Sequence, residues 1–179
     1  MDAIEQRAQF EPESGSRKED NHLGQYLTFS LASETYGIDI LRVQEIRGWE
    51  KTTKLPSVPD YVKGVINMRG SVVPIVDLRQ RFQIGEATYD DSTVVIITKM
   101  ESNDVAENRQ KIVGLVVDGV SDVEDIDLEN LQAAPSFQSG DRISDEFIQG
   151  LASIGENMII VLNVDNLLHQ GIFQEIVKT

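Results

Sequence analysis

A chain of 179 residues that is 40% hydrophobic has room for one domain or two small intertwined lobes; lacking cysteine, it offers no disulfide framework, thiolate metal site or thiol nucleophile. Its formal net charge of −14 sets a repulsive field against any polyanion, which argues against nucleic-acid binding. No signal-peptide pattern opens the chain and no apolar run approaches the roughly 20 residues of a membrane span, so a soluble cytoplasmic protein without direct membrane insertion is expected.

Residues 1–24 are rich in Glu, Gln, Ser and Arg, with few large apolar residues, and read as a disordered N-terminal tail. From Gln25 the pattern changes. Tyr26 to Leu31 is strand-like, and Tyr36 to Ile40 alternates as a half-buried strand does. Leu41 to Ile46 fits a strand or a helical turn equally. Gly48 to Asp60 reads as a connection, because Pro56 and Pro59 exclude regular helix and central strand. It carries Trp49, the single tryptophan. A lone Trp commonly anchors a core, but charged residues flank this one and favour a partly exposed position.

Val62 to Leu78 is the most informative stretch. Two β-branched runs, Val65-Ile66 and Val72 to Val76, flank Asn67-Met68-Arg69-Gly70, a hairpin signal in which Gly70 supplies positive φ. Arg69 then sits at the tip. It is an ordinary hydrated Arg, a contact residue for a partner, or a clamp between lobes through a buried carboxylate. Asp77 is a candidate N-cap for a helical turn or two over Leu78 to Phe82.

Val94 to Ile97 is apolar on consecutive positions and predicts a strand buried on both faces. Glu101 to Gln110 is a charged loop, Lys111 to Asp118 a strand, and Gly119 to Val123 a turn away from it. A helical turn is predicted near Leu128 to Leu131, irregular chain over Pro135 to Ser144, and a strand–turn–strand unit from Phe147 to Asn163. From Val164 on, helical spacing returns, giving a domain over residues 25–168 and a C-terminal helical tail over 169–179. Eight to ten short strands with few helices predict an all-β fold, a barrel or a pair of barrels. No strict sequence repeat is present, although hairpins about 90 residues apart, at Gly64 to Asp77 and Gly150 to Asn163, allow a two-lobed plan.

Little in the chain points to catalysis. His22 and His169 are too far apart in sequence to give metal-ligand spacing, and the acidic stretch Asp118 to Glu129 lacks the mid-loop Gly and terminal Glu of a calcium loop. There is no G-x-S-x-G elbow, P-loop or G-x-G-x-x-G. No cofactor, metal or catalytic residue is expected. Paired carboxylates in a cleft keep a hydrolase open as the alternative class.

Tyr36-Gly37-Ile38-Asp39-Ile40, Val43-Gln44-Glu45-Ile46-Arg47, Lys63 to Gly70, Pro74-Ile75-Val76-Asp77-Leu78 and Val116 to Val123 together closely resemble the CheW-like family of bacterial chemotaxis adaptors, from about Tyr26 to Leu168. The resemblance implies two packed five-stranded SH3-like β-barrels and a non-enzymatic scaffold, located at membrane-associated receptor arrays. That scaffold would couple the cytoplasmic tips of chemoreceptors to the regulatory domain of the histidine kinase CheA, or serve a second chemosensory pathway. It carries receptor contact to Val43, Gly64, Asn67, Arg69 and Gly70, and kinase contact to Ile46, Arg47 and Trp49. Glu45 matches a functional acid of the family that faces one partner or the other. The charged loop 101–110 is longer than the family pattern, and the polar tail also departs from it.

Overall fold

The computed structural model describes residues 22–86, 88–100, 111–134 and 145–173. The charged loop 101–110, the irregular stretch 135–144, tail residues 1–21 and residues 174–179 lie outside them. Among the described residues there are ten strands: β1 (Leu23–Leu31), β2 (Glu34–Asp39), β3 (Val43–Gly48), β4 (Val62–Met68), β5 (Ser71–Asp77), β6 (Val94–Lys99), β7 (Ile112–Val117), β8 (Gly119–Asp127), β9 (Ile148–Ile154) and β10 (Asn157–Leu162). Two short helices, α1 (Leu78–Arg81) and α2 (Val164–Asn166), follow β5 and β10. β1 begins two residues before the sequence boundary at Gln25, with Leu23 opposite Asp127.

The strands form two five-stranded sheets, ordered β8-β1-β2-β10-β9 and β3-β6-β7-β5-β4. Each curls into a barrel. In the second barrel, Thr53 pairs with Val65 of β4; in the first, Gln132 pairs with Leu151 of β9. The sheets correspond strand for strand: both contain one parallel pair, β2–β10 and β5–β7, and are otherwise antiparallel. Asp77 caps α1 and Asn163 caps α2 at equivalent places. The first barrel takes its strands from both ends of the chain and the second from the middle, so the repeat is permuted.

Each sheet is buried on both faces. Ile66, Ile75, Val95 and Ile97 fill the second barrel, and Tyr26, Ile126, Ile159 and Val161 the first. The opposite faces meet in a shared core with Leu27, Phe29, Tyr36, Ile96 and Leu115. The both-faces expectation for Val94 to Ile97 holds: Val95 and Ile97 face into the barrel while Ile96 faces its neighbour. A ladder of rings crosses between barrels, Phe29 on Tyr36 at 5.9 Å and Tyr36 on Phe82 at 6.2 Å. After α2, Leu167–Phe173 is π-helical, and Leu167, Leu168 and Ile172 are buried in the shared core.

Two local expectations change. Leu41 to Ile46 is both alternatives in turn, a 3-10 turn over Ile40–Arg42 and then β3. Gly119 to Val123 does not turn away but begins β8, which pairs with β1 along its length. A bulge hides this strand from periodicity, since Leu27 faces Val123 but Phe29 faces Val120. The acidic stretch Asp118 to Glu129 is therefore mostly strand, not a loop.

Two polar ties link the barrels at related positions. Asp118, between β7 and β8, lies 3.3 Å from the Arg79 guanidinium on α1 and accepts the Ala32 backbone N–H at 2.7 Å. Arg42 pairs with Asp165 of α2 at 3.0 Å. Asp118→Ala leaves the cation and the N–H without this acceptor and is expected to cost about 1–3 kcal/mol. Urea unfolding checks this, with Asp118→Asn expected to recover part of the loss.

The pH dependence follows from the buried phenols. Burial, reinforced by the charge of Glu34, pushes Tyr36 up to about 12, and burial also raises Tyr26. Both folded-state values lie above the ordinary tyrosine value of about 10, so the fold favours the protonated form. That contribution is complete below about pH 10 and is lost as pH rises toward 12. Denaturant midpoints should be insensitive to these tyrosines from pH 7 to 9 and fall above about 10.

Candidate protein interaction surface

β4 and β5 are joined by Arg69-Gly70, a two-residue turn with φ of 50° and 86°. Positive φ at both central residues matches a type I′ hairpin, whose twist suits the flanking strands. The Asn67 side-chain oxygen accepts the Gly70 N–H at 3.0 Å, bracing the turn from within. Asn67 thus supports the tip while remaining exposed. Inward-facing Val73 and Ile75 anchor the hairpin; Val72, one step out of that alternation, is 69% exposed.

Arg69 is at the tip, its side chain 81% exposed. It is not unpaired: its guanidinium lies 3.5 Å from the Glu45 carboxylate on β3, which is 29% exposed. Glu45 also faces Arg47 at 3.9 Å, and Arg47 reaches Glu50 at 3.3 Å. The clamp between lobes is thereby corrected. The partner carboxylate belongs to the same barrel, and the pair spans the seam between β3 and the β4–β5 tip. Exposed pairs of this kind contribute only about 0–1 kcal/mol, so the network chiefly orients the guanidinium.

Glu45 joins the two sets of contact candidates in one continuous strip, with Arg69 on one side and Arg47 on the other. Ile46, 47% exposed, points to the opposite face of β3 from these charges. Val43 begins β3 half-buried against the shared core. Gly64 has a different part. It has φ of 129°, and a Cβ there would lie 2.2 Å from the Thr53 carbonyl oxygen. The close approach that this glycine permits is made by the chain's own Thr53, so Gly64 acts through the seam that shapes the surface.

Trp49 is half-buried, as its charged flanks predict, and packs one side against the core of the second barrel. Its ring stacks on Tyr89, centroids 4.3 Å apart and planes 11° from parallel. A narrow crevice beside it is lined by Arg47, Gly48, Thr52 and Ile66. Sequence reading missed Tyr89, Val72 and Thr53. Strand alternation could have flagged Val72; Tyr89 gave no local signal.

The first barrel holds a more open, polar recess of about 150 Å³, lined by residues including Thr28, Thr35, Ser121, Asp122 and Glu124. The buried Thr28 hydroxyl is engaged with the Asp122 backbone, donating to its carbonyl at 2.9 Å. No His is among the described residues that line the recess.

Comparison with known proteins matches this geometry. Residues 25–171 match the CheW-like domain model. The chain is 43% identical over 144 residues to a chemotaxis protein CheW of Klebsiella aerogenes, covering 80% of this chain and 81% of that one. It is 34% identical to a probable chemotaxis protein CheW of Rhizobium etli, covering 80% and 86% of the two chains. The crystal structure of the scaffolding protein TtCheW from Thermoanaerobacter tengcongensis superposes with a TM-score of 0.69 at 32% identity, covering 82% of this chain and 88% of that one. Two permuted SH3-like barrels, the braced N-x-R-G hairpin and these relatives together place the chain in the CheW family of chemotaxis scaffold proteins.

Proposed function

We propose that the chain is a non-enzymatic adaptor at chemoreceptor arrays, joining receptor cytoplasmic tips to the regulatory domain of the histidine kinase CheA. The observation that carries this reading is the hairpin itself: a rigid turn holding an 81% exposed Arg69 in front of Glu45, on a barrel fixed from behind. A receptor tip is a helical bundle. A rigid β surface can take the face of a helix, and a guanidinium held in place sets register against a partner carboxylate. Val43, Asn67, Arg69 and Gly70 form the receptor side, with Gly64 shaping it through the seam. Ile46, Arg47 and Trp49 form the kinase side, and Glu45 serves both by holding Arg69 and Arg47.

The division between sides is tested with Trp49→Ala against each partner separately. Loss of a buried interface aromatic commonly costs 2 kcal/mol or more, about thirtyfold in affinity. Immobilised kinase regulatory domain should retain the variant about thirtyfold more weakly, while receptor-containing membranes retain it normally. Because Trp49 also packs on the barrel, denaturation of the same variant must show a smaller loss of stability than of binding. Undiminished kinase retention contradicts the assignment.

A further inference from the structure

Tyr89 lies outside every assigned surface, yet it is tied on both sides. Its ring lies flat on Trp49 at 4.3 Å, and its hydroxyl donates to the Asp77 carboxylate. Asp77 is 1% exposed and its other oxygen accepts the Gln80 N–H at 3.3 Å, capping α1. The backbone adds a further tie, because the Trp49 N–H donates to the Thr93 carbonyl at 3.2 Å. Thr93 in turn closes the Asp90–Thr93 turn that follows Tyr89, its N–H donating to the Asp90 carbonyl at 3.1 Å. A run of contacts therefore leads from a buried carboxylate through a phenol to a half-exposed indole.

We propose that Tyr89 is a positioning residue for Trp49, holding the indole in a single orientation so that the kinase regulatory domain meets a pre-ordered aromatic. This rests on the reading of Trp49 as a kinase contact. The physical reason is conformational. An indole at the end of a strand that is only partly packed on the core keeps freedom about its side-chain torsions. A parallel ring stacked on it removes that freedom, provided the second ring is itself fixed. The hydrogen bond to Asp77 fixes it, since Asp77 cannot move without uncapping α1. Consistent with an engaged, protonated phenol, burial and this hydrogen bond raise Tyr89 well above the usual tyrosine range. An aromatic ordered before association avoids the entropy cost of immobilising it in the complex.

Tyr89→Phe is the informative change, because it keeps the ring and removes only the O–H. With one tryptophan in the chain, time-resolved fluorescence anisotropy and near-ultraviolet circular dichroism report Trp49 without labelling. In Tyr89→Phe the indole should gain fast local motion and lose dichroic intensity. Affinity for the kinase regulatory domain should fall about three- to tenfold, the cost of ordering one side chain on binding. The same change made in Trp49→Ala should have no further effect on binding. Tyr89→Leu, which removes the stack altogether, should loosen the indole at least as much. An anisotropy decay unchanged in both Tyr89 variants overturns the proposal. So does a loosened indole with unaltered kinase affinity when Trp49→Ala weakens binding. Full kinase affinity in Trp49→Ala contradicts the contact reading and the docking half of this proposal; the anisotropy, measured without kinase, still reads the hold of Tyr89 on the indole.

Discussion

Gly64→Ala is expected to destabilise the protein by about 3 kcal/mol or more, because among the described glycines it is here that an added methyl group would come nearest to another atom. Two costs combine. The residue sits at φ of 129°, where a side chain is strained by roughly 1–3 kcal/mol. The added Cβ would also lie 2.2 Å from the Thr53 carbonyl oxygen, a backbone atom that cannot rotate away. Relief requires opening the seam, where Thr53 and Val65 exchange two hydrogen bonds of 2.9 Å. Chemical denaturation should show a much lower midpoint at a similar m-value. Gly70→Ala is the control. Its φ of 86° is also positive, but a Cβ there meets nothing within 4 Å, so its cost should be about 1 kcal/mol. Equal losses at the two glycines would show that backbone conformation alone, and not the Thr53 seam, sets the requirement.

Arg69→Ala is expected to do the opposite, folding almost normally while assembly fails. The side chain is 81% exposed and its pair with Glu45 is solvated, so stability should change by no more than about 1 kcal/mol. If the guanidinium anchors the receptor interface, affinity should fall by about 2 kcal/mol or more, some thirtyfold. Glu45→Gln provides a graded companion. It keeps the shape of the carboxylate but releases both Arg69 and Arg47, so it should weaken binding less than Arg69→Ala and leave folding intact. A denaturation midpoint that drops in proportion to the binding loss would make Arg69 a structural clamp across the seam.

The β4–β5 hairpin was legible because everything that forms it is local: β-branched runs, a turn that tolerates positive φ, and an Asn side chain three residues from the N–H it accepts. Asp77 as a cap and the doubly buried Val94 to Ile97 were legible for the same reason. β8 was not, because its bulge breaks the period that a strand otherwise displays. The permuted repeat was hidden for a deeper reason. Its first barrel pairs β1 with β8, so Leu27 meets Val123 across most of the chain, and no window of sequence contains both. The same holds for Tyr89, whose ring meets Trp49 across β4, β5 and α1 and whose hydroxyl meets a cap on another element. Glu45 was marked as functional by resemblance, but only the closing of the barrel shows that it stands between Arg69 and Arg47. Composition and periodicity supplied strands and turns; family resemblance supplied the partner roles.

The central claim is that one molecule bridges two partners, and co-sedimentation tests it most directly. Receptor-containing membranes, purified CheA and this chain are mixed, and the kinase in the pellet is measured with and without the chain. Kinase should pellet in proportion to added wild-type chain, and far less with Arg69→Ala or with Trp49→Ala, the residues proposed for the two sides of the bridge. Kinase that pellets equally whether or not the chain is present, or a chain that pellets without carrying kinase, would contradict the adaptor account.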